Sequence, residues 1–194
     1  GVTKVLKENF ISYFAGENCY YYEDRKSKLL TFFYGNIDNL EELSKKFNID
    51  AKANLAEIIS IVSNLRGEAF ARDIKGAFVV CIFDEKNQNI RAYKDHLGQK
   101  PFFFSKVNSS LVFATDIKQI VDLGLKEYSL NRRRIIYFLT YLCGPHSETF
   151  FKNIFRLPAR NRLLVSNESI EMEEYFQFKD TKIEKKDDEI IKEL

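Results

Sequence analysis

The chain has 194 residues, 45% hydrophobic and 30% charged, with a formal net charge of +2. That balance excludes collagen-like, low-complexity and wholly disordered polypeptides, and near-neutrality argues against a dedicated nucleic-acid binder. No apolar run is long enough to span a membrane, and the opening GVTKVLKENF lacks the apolar core of a secretory leader, so the expected compartment is the cytoplasm.

Aromatic residues stand out: 18 Phe and 10 Tyr, with no Trp. They cluster in short runs (YYY, TFFY, PFFF), which favours strands and a sheet-rich core. In chain order, strands are expected at 10–14 (FISYF), 19–23 (CYYYE) and 28–34 (KLLTFFY), with turn residues between them. After Gly35 a helix is expected, with Asp38 as its cap and Glu41 three residues later, followed by the stripe Leu40, Leu43 and Phe47. A second helix opens at Asn54 with Glu57, carries Leu55, Ile58, Ile59, Val62 and Leu65, and stops near Gly67.

Residues 77–83 (AFVVCIF) form an almost unbroken apolar run, the pattern of a strand buried on both faces. A polar turn over 84–89 leads into a strand around Ile90, Ala92 and Tyr93. Two more strands are expected at 101–105 and 111–114, joined as a hairpin. Helices follow over 116–123, with Gly124 as the residue beyond the end, and over about 131–142, capped by Ser129 and closed by Gly144-Pro145. Strand-like pieces occupy 150–155, 162–166 and 170–178, and 179–194 is dense in Lys, Asp and Glu. The order of strands, two helices, strands, two helices and strands predicts an α+β fold: a four-layer α/β/β/α sandwich, two stacked antiparallel sheets between helical layers.

Cys19, Cys81 and Cys143 are odd in number and widely spaced, so they read as thiols in a reducing compartment. Only His96 and His146 could join them, so no metal site is expected.

Residues 73–104 read DIKGAFVVCIFDEKNQNIRAYKDHLGQKPFFF. This resembles the asparagine synthetase family, in which L-x-G-x-F-A-F-A-I-W-D precedes R-D-x-x-G-x-K-P-L-Y-Y. Gly76, Phe78 and Asp84 match the first part; Lys94, Asp95, Gly98, Lys100, Pro101 and Phe102 to Phe104 match the second. In the same order, FYGNIDNLEEL is similar to F-N-G-E-I-Y-N-Y-x-E-L, LVFATDIKQI to F-A-S-E-I-K, the 128–144 segment to L-D…Y-L…G, and ETFFKNIFRLPARNRLLV to T-I-F-x-G-I-x-x-L-P-P-G-H. The resemblance runs from about 33 to 178. It implies an N-terminal class II glutamine amidotransferase domain with the Ntn-hydrolase fold over 1–178. Residues 179–194 would then be a linker entering a C-terminal synthetase domain, the expected partner, where ATP and Mg would act. No cofactor is expected in the amidotransferase domain itself. The S-G-G-x-D-S phosphate loop of a synthetase domain does not occur in these 194 residues, so a truncated or excised chain is expected.

Three departures bear on chemistry. The family's glutaminases use an N-terminal Cys whose α-amino group serves as base; Gly1 stands first here, followed by Val2 and Thr3, and Cys19 is internal. The family's oxyanion-binding N-G-E corresponds to Tyr34, Gly35 and Asn36, which keeps the glycine N–H and loses the Asn amide. The Asp of S-D-T-E, which would pair the amino group of glutamine, corresponds to Leu55, an apolar side chain.

The resemblance therefore implies an asparagine-synthetase-like, ATP-dependent amide-forming enzyme in which this domain is a degenerate, mainly structural remnant, as in β-lactam synthetases and lasso-peptide cyclases. Two alternatives stay open: an active glutaminase whose Cys lies upstream, with glutamine as substrate, and a stand-alone interaction module. Oligomerisation is left open. Lys94-Asp95-His96 reads as a structural ionic segment and His146 as a loop residue. Arg132, Arg133 and Arg134 read as a solvated helix face, and the aromatic runs as core.

Overall fold

A computed structural model describes residues 2–6, 10–14, 18–107, 110–142, 147–166 and 169–178. Gly1, Cys143, the 144–145 helix stop, His146 and the charged 179–194 segment lie outside the described residues. The strands are β1 (Val2–Leu6), β2 (Phe10–Phe14), β3 (Cys19–Asp24), β4 (Leu29–Gly35), β5 (Phe78–Asp84), β6 (Asn89–Lys94), β7 (Phe103–Val107), β8 (Ser110–Ala114), β9 (Phe155–Arg156), β10 (Asn161–Val165) and β11 (Ile170–Glu174). The helices are α1 (Leu40–Phe47), α2 (Leu55–Arg66), α3 (Ile117–Asp122) and α4 (Arg132–Tyr141), with a 3-10 turn at Gly67–Arg72.

Two sheets form. The six-stranded sheet runs β11-β10-β6-β5-β4-β3 and is antiparallel throughout. The five-stranded sheet runs β1-β2-β8-β7-β9; β2 and β8 pair in parallel, and its other pairs are antiparallel. The AFVVCIF segment behaves as its composition requires. Val79, Cys81 and Phe83 enter a cluster with Phe104, Leu111 and Phe113 of the other sheet and with Phe102 just before β7, while Phe78, Val80 and Ile82 face Ile58, Ile59 and Val62 of α2. Alternation along one strand thus serves two cores at once. Burying each such side chain contributes about 1.5–3 kcal/mol. Phe32 and Phe33 of TFFY and Phe102 and Phe104 of PFFF are buried, so these runs are core, whereas in YYY Tyr20 and Tyr22 are half-buried and Tyr21 is exposed.

On the outer face of the five-stranded sheet, Ile120 of α3 joins Val107, Val112, Ala114 and Ile154. The four-layer α/β/β/α order holds, with one qualification: α4 buries only Arg134 and leaves Ile136, Leu139 and Tyr141 exposed. The expected pair of helices on this face is therefore one packed helix and one largely solvent-facing helix. The triple-arginine face is likewise only partly solvated: Arg132 and Arg133 are exposed, whereas Arg134 is buried over the Phe150 ring.

Helix starts differ at two places. Asn39, not Asp38, precedes α1, and its side chain is drawn away to Asp73 O and Lys75 N. Asn131, not Ser129, caps α4 through the Arg134 N–H. Asn54 caps α2 as expected, accepting from Ala56 N at 2.9 Å. The expected strand over 150–155 is mostly a loop held by Thr149, whose hydroxyl donates to the Ile154 carbonyl at 2.8 Å and accepts from Phe151 N at 3.2 Å.

Candidate functional site

The inner face of the six-stranded sheet carries a row of side chains at one end. Register places Cys19 opposite Tyr34, Tyr34 opposite Val79, and Val79 opposite Lys94. Cys19, Tyr34 and Val79 border the cluster between the sheets. Lys100 brings its ammonium over the Tyr34 ring, 5.0 Å from the centroid, a cation–π contact. Tyr34 therefore fills space as an aromatic wall and offers no amide donor.

β4 ends at Gly35, where the chain must turn against the start of β5. Gly35 has φ +129°, and a Cβ there would lie 2.0 Å from Ala77 O. Gly76 mirrors it with φ +144° and a Cβ position 2.3 Å from Asn36 O. Only residues without a side chain tolerate that approach. The two segments are stitched by Asn36 N–H to Ala77 O (3.0 Å) and Asp38 N–H to Lys75 O (2.8 Å). The Gly35 N–H, the donor expected to survive at this site, instead donates to the Asn18 carbonyl at 3.0 Å. Asn36 is exposed and turns its amide to Asp38.

Leu55 is not brought to this row. It starts α2 and packs in the helix-facing cluster, across the six-stranded sheet from Tyr34. Asn54 is occupied as a cap and by a bond to Tyr21 O, so it cannot replace the missing carboxylate.

Cys19 and Cys81 are free thiols. Burial pushes the Cys19 thiol up, against the lowering influence of Lys100, and pushes buried Cys81 up to about 12. Both are protonated and poor nucleophiles near neutrality. Among the described residues no cluster of His, Cys, Asp and Glu could hold a metal, and no helix is long and apolar enough to cross a membrane.

The Lys94-Asp95-His96 segment is structural in large part. Asp95 is fully buried, and its carboxylate accepts from the N–H groups of Leu97 (3.1 Å), Gln99 (3.0 Å) and Lys100 (3.1 Å). His96 stacks on Phe176 at 3.8 Å, and burial lowers its pKa, keeping the ring neutral at pH 7. What the sequence reading missed is the surroundings of Lys94. This side chain is buried and lines a cleft of about 160 Å³ with Leu97, Gly98, Arg156, Pro158 and Ala159. Its match to the Arg of R-D was the available signal.

Residues 15–176 match the family model described as a glutamine amidotransferase domain. A protein of Methanocaldococcus jannaschii assigned as a glutamine-hydrolysing asparagine synthetase is 29% identical over 157 residues, covering 78% of this chain and 30% of that protein. Asparagine synthetase 2 of Bacillus subtilis, also glutamine-hydrolysing, is 27% identical over 139 residues, covering 68% of this chain and 19% of its own length. The chain thus spans under a third of these relatives. Glutamine phosphoribosylpyrophosphate amidotransferase from B. subtilis shares the fold, with a TM-score of 0.58 at 12% identity over 81% of this chain and 31% of that one.

Proposed function

Because the chain belongs to the glutamine amidotransferase domain family, we propose that it is the amidotransferase-like domain of an asparagine-synthetase-like, ATP-dependent amide-forming enzyme, with a glutamine site that no longer turns over. The observation that carries this reading is the hydrogen bond from Gly35 N–H to Asn18 O, beside a Tyr at position 34. A tetrahedral intermediate needs donors aimed at its developing oxyanion, and removing one typically costs about 10²–10³ in rate. Here one donor is replaced by an aromatic ring and the other already has an acceptor. Leu55 adds the loss of the anchor for the substrate's ammonium.

In this reading the domain scaffolds or shields its synthetase domain, where ATP and Mg act. The exposed apolar side of α4 supports that role: Ile136 and Leu139, with Leu142 just beyond the helix end, are 65%, 72% and 78% exposed, an unusual face for a solvated helix. Calorimetric titration of L-glutamine into the chain tests the reading. No saturable heat is expected, because the substrate's ammonium lacks its anchor; saturable binding that a folded Tyr34→Ala variant loses would overturn that loss of the site.

A further inference from the structure

We propose that His96 is a proton-sensitive latch on residues 176–178: the neutral ring holds this segment against the domain, and the imidazolium releases it. The His96 ring stacks on the Phe176 ring, with centroids 3.8 Å and planes 17° apart. Phe78 meets it edge-on at 6.3 Å, and Tyr175 lies tilted at 5.9 Å. One ring nitrogen bonds the Ala71 backbone, whereas Nε2 is buried and has no hydrogen-bond partner among the described residues. In the neutral ring that atom is a bare lone pair. Protonation makes it a charged N–H without an acceptor, which costs far more. Stacking on Phe176 offers an imidazolium some cation–π attraction, but Nε2 lies in the ring plane and gains no acceptor from it.

Tyr175 marks where the release would stop. Its N–H donates to Arg160 O at 2.9 Å, its carbonyl accepts from Arg72 Nε at 3.0 Å, and its hydroxyl donates to Lys94 O at 2.8 Å. Beyond it, side chains alone hold the segment: Phe176 lies on His96, and Phe178 sits edge-on to Phe176 at 5.1 Å and under the Arg160 guanidinium at 5.4 Å. Among the described residues no backbone hydrogen bond fixes 176–178. The charged groups on the elements around the ring are few. Arg160, paired with Glu174 at 3.0 Å, repels an imidazolium, and Asp95 attracts it. The 3-10 turn carries Arg72, bonded to Tyr175, and Glu68, paired with Arg162; β5 presents the Phe78 ring, and Lys94 precedes Asp95. Burial dominates and holds the imidazole below its usual 6.5, opposed by the Ala71 backbone and Asp95 and reinforced by Arg160. Undocking Phe176 opens the ring to water and returns the pKa toward that value. In the window below 6.5 the open segment binds the proton that the docked one excludes, so docking weakens as pH falls. The inference rests on these residues and not on the proposed lapse of the glutamine site.

The test is an NMR titration of the chain from about pH 8 to about pH 5. It follows the His96 Cε1–H signal, which is the one missing from His96→Phe, and the nuclear Overhauser contacts of Phe176 with His96 and of Tyr175 with Tyr93. The result expected is loss of the Phe176 contacts as the imidazole titrates, with the Tyr175–Tyr93 contacts retained. In His96→Phe a ring stacks without titrating, so the Phe176 signals should hold their positions across the range. In Phe176→Ala, shown to be folded by far-ultraviolet circular dichroism, the His96 midpoint should rise toward 6.5. Phe176 contacts that persist on protonated His96, loss of both sets of contacts together, or an unmoved midpoint in Phe176→Ala would overturn the proposal.

Discussion

A Cβ on Gly35 would sit 2.0 Å from the carbonyl oxygen of Ala77, closer than any side chain permits. The end of β4 and the start of β5 therefore meet backbone to backbone, at the segment where the proposed function places the lapsed oxyanion site. Gly35→Ala combines this overlap with a glycine-only φ of +129°. A loss of roughly 3 kcal/mol or more is expected, from strain and overpacking together. Urea unfolding checks it; a change below about 1 kcal/mol would show that the segment yields easily.

Asp95 organises the loop from 95 to 100 by accepting from three backbone N–H groups while fully buried. Asp95→Asn keeps the shape but removes the charge and turns part of the acceptor into a donor. Each charge-assisted bond contributes about 1.5–3 kcal/mol, so a net loss of about 2–4 kcal/mol is expected in the urea midpoint. Faster hydrogen exchange should appear at the amides of Leu97, Gln99 and Lys100.

Lys94 makes a prediction about pH. Burial, reinforced by Arg156, lowers its pKa from the usual 10.5 to about 8. Between those values the unfolded chain holds a proton that the folded chain has released, so this group's contribution to stability rises with pH across that window. Below about 8 the folded state carries the full penalty of the buried charge. Lys94→Met should therefore be more stable than the wild type near pH 7, with the gap closing as pH approaches 10. Parallel urea curves at pH 7 and 10 for both proteins check this; a constant gap contradicts it.

Much of the fold was legible because it is local. The AFVVCIF run had to be buried on both faces, and Asn54 announced α2 through its own side chain. Val2–Leu6 was missed because Lys4 interrupts a five-residue segment too short to show a period. The parallel pairing of β2 with β8 joins residues about a hundred positions apart, and side-chain alternation carries no information on strand direction. The start of α1 moved by one residue because Asn39 is tied to the distant Asp73 and Lys75 backbone, and the cap of α4 moved by two because Asn131 accepts from the Arg134 N–H. At the site, the exchange of Asn for Tyr at position 34 was readable, whereas the acceptor of the Gly35 N–H depends on where β3 begins. Lys94 read as part of a structural ionic segment, and only register with Val79 places it on an inner face.

The exposed face of α4 should matter to assembly and not to folding. Leu139 is 72% exposed, so Leu139→Glu should change the stability of the chain by no more than about 0.5 kcal/mol. In a longer chain carrying the proposed synthetase domain, the same substitution should split a single calorimetric transition into two, as the domains uncouple. Unchanged cooperativity in that variant would remove α4 from the proposed docking surface.

The proposed lapse of glutamine chemistry within an Ntn-hydrolase architecture is tested most directly by ammonia release from L-glutamine, assayed on the protein with its native N-terminus. A rate at the enzyme-free background is expected. Sustained release above background, lost when Gly35 or the native N-terminal residue is altered in a folded variant, would contradict it.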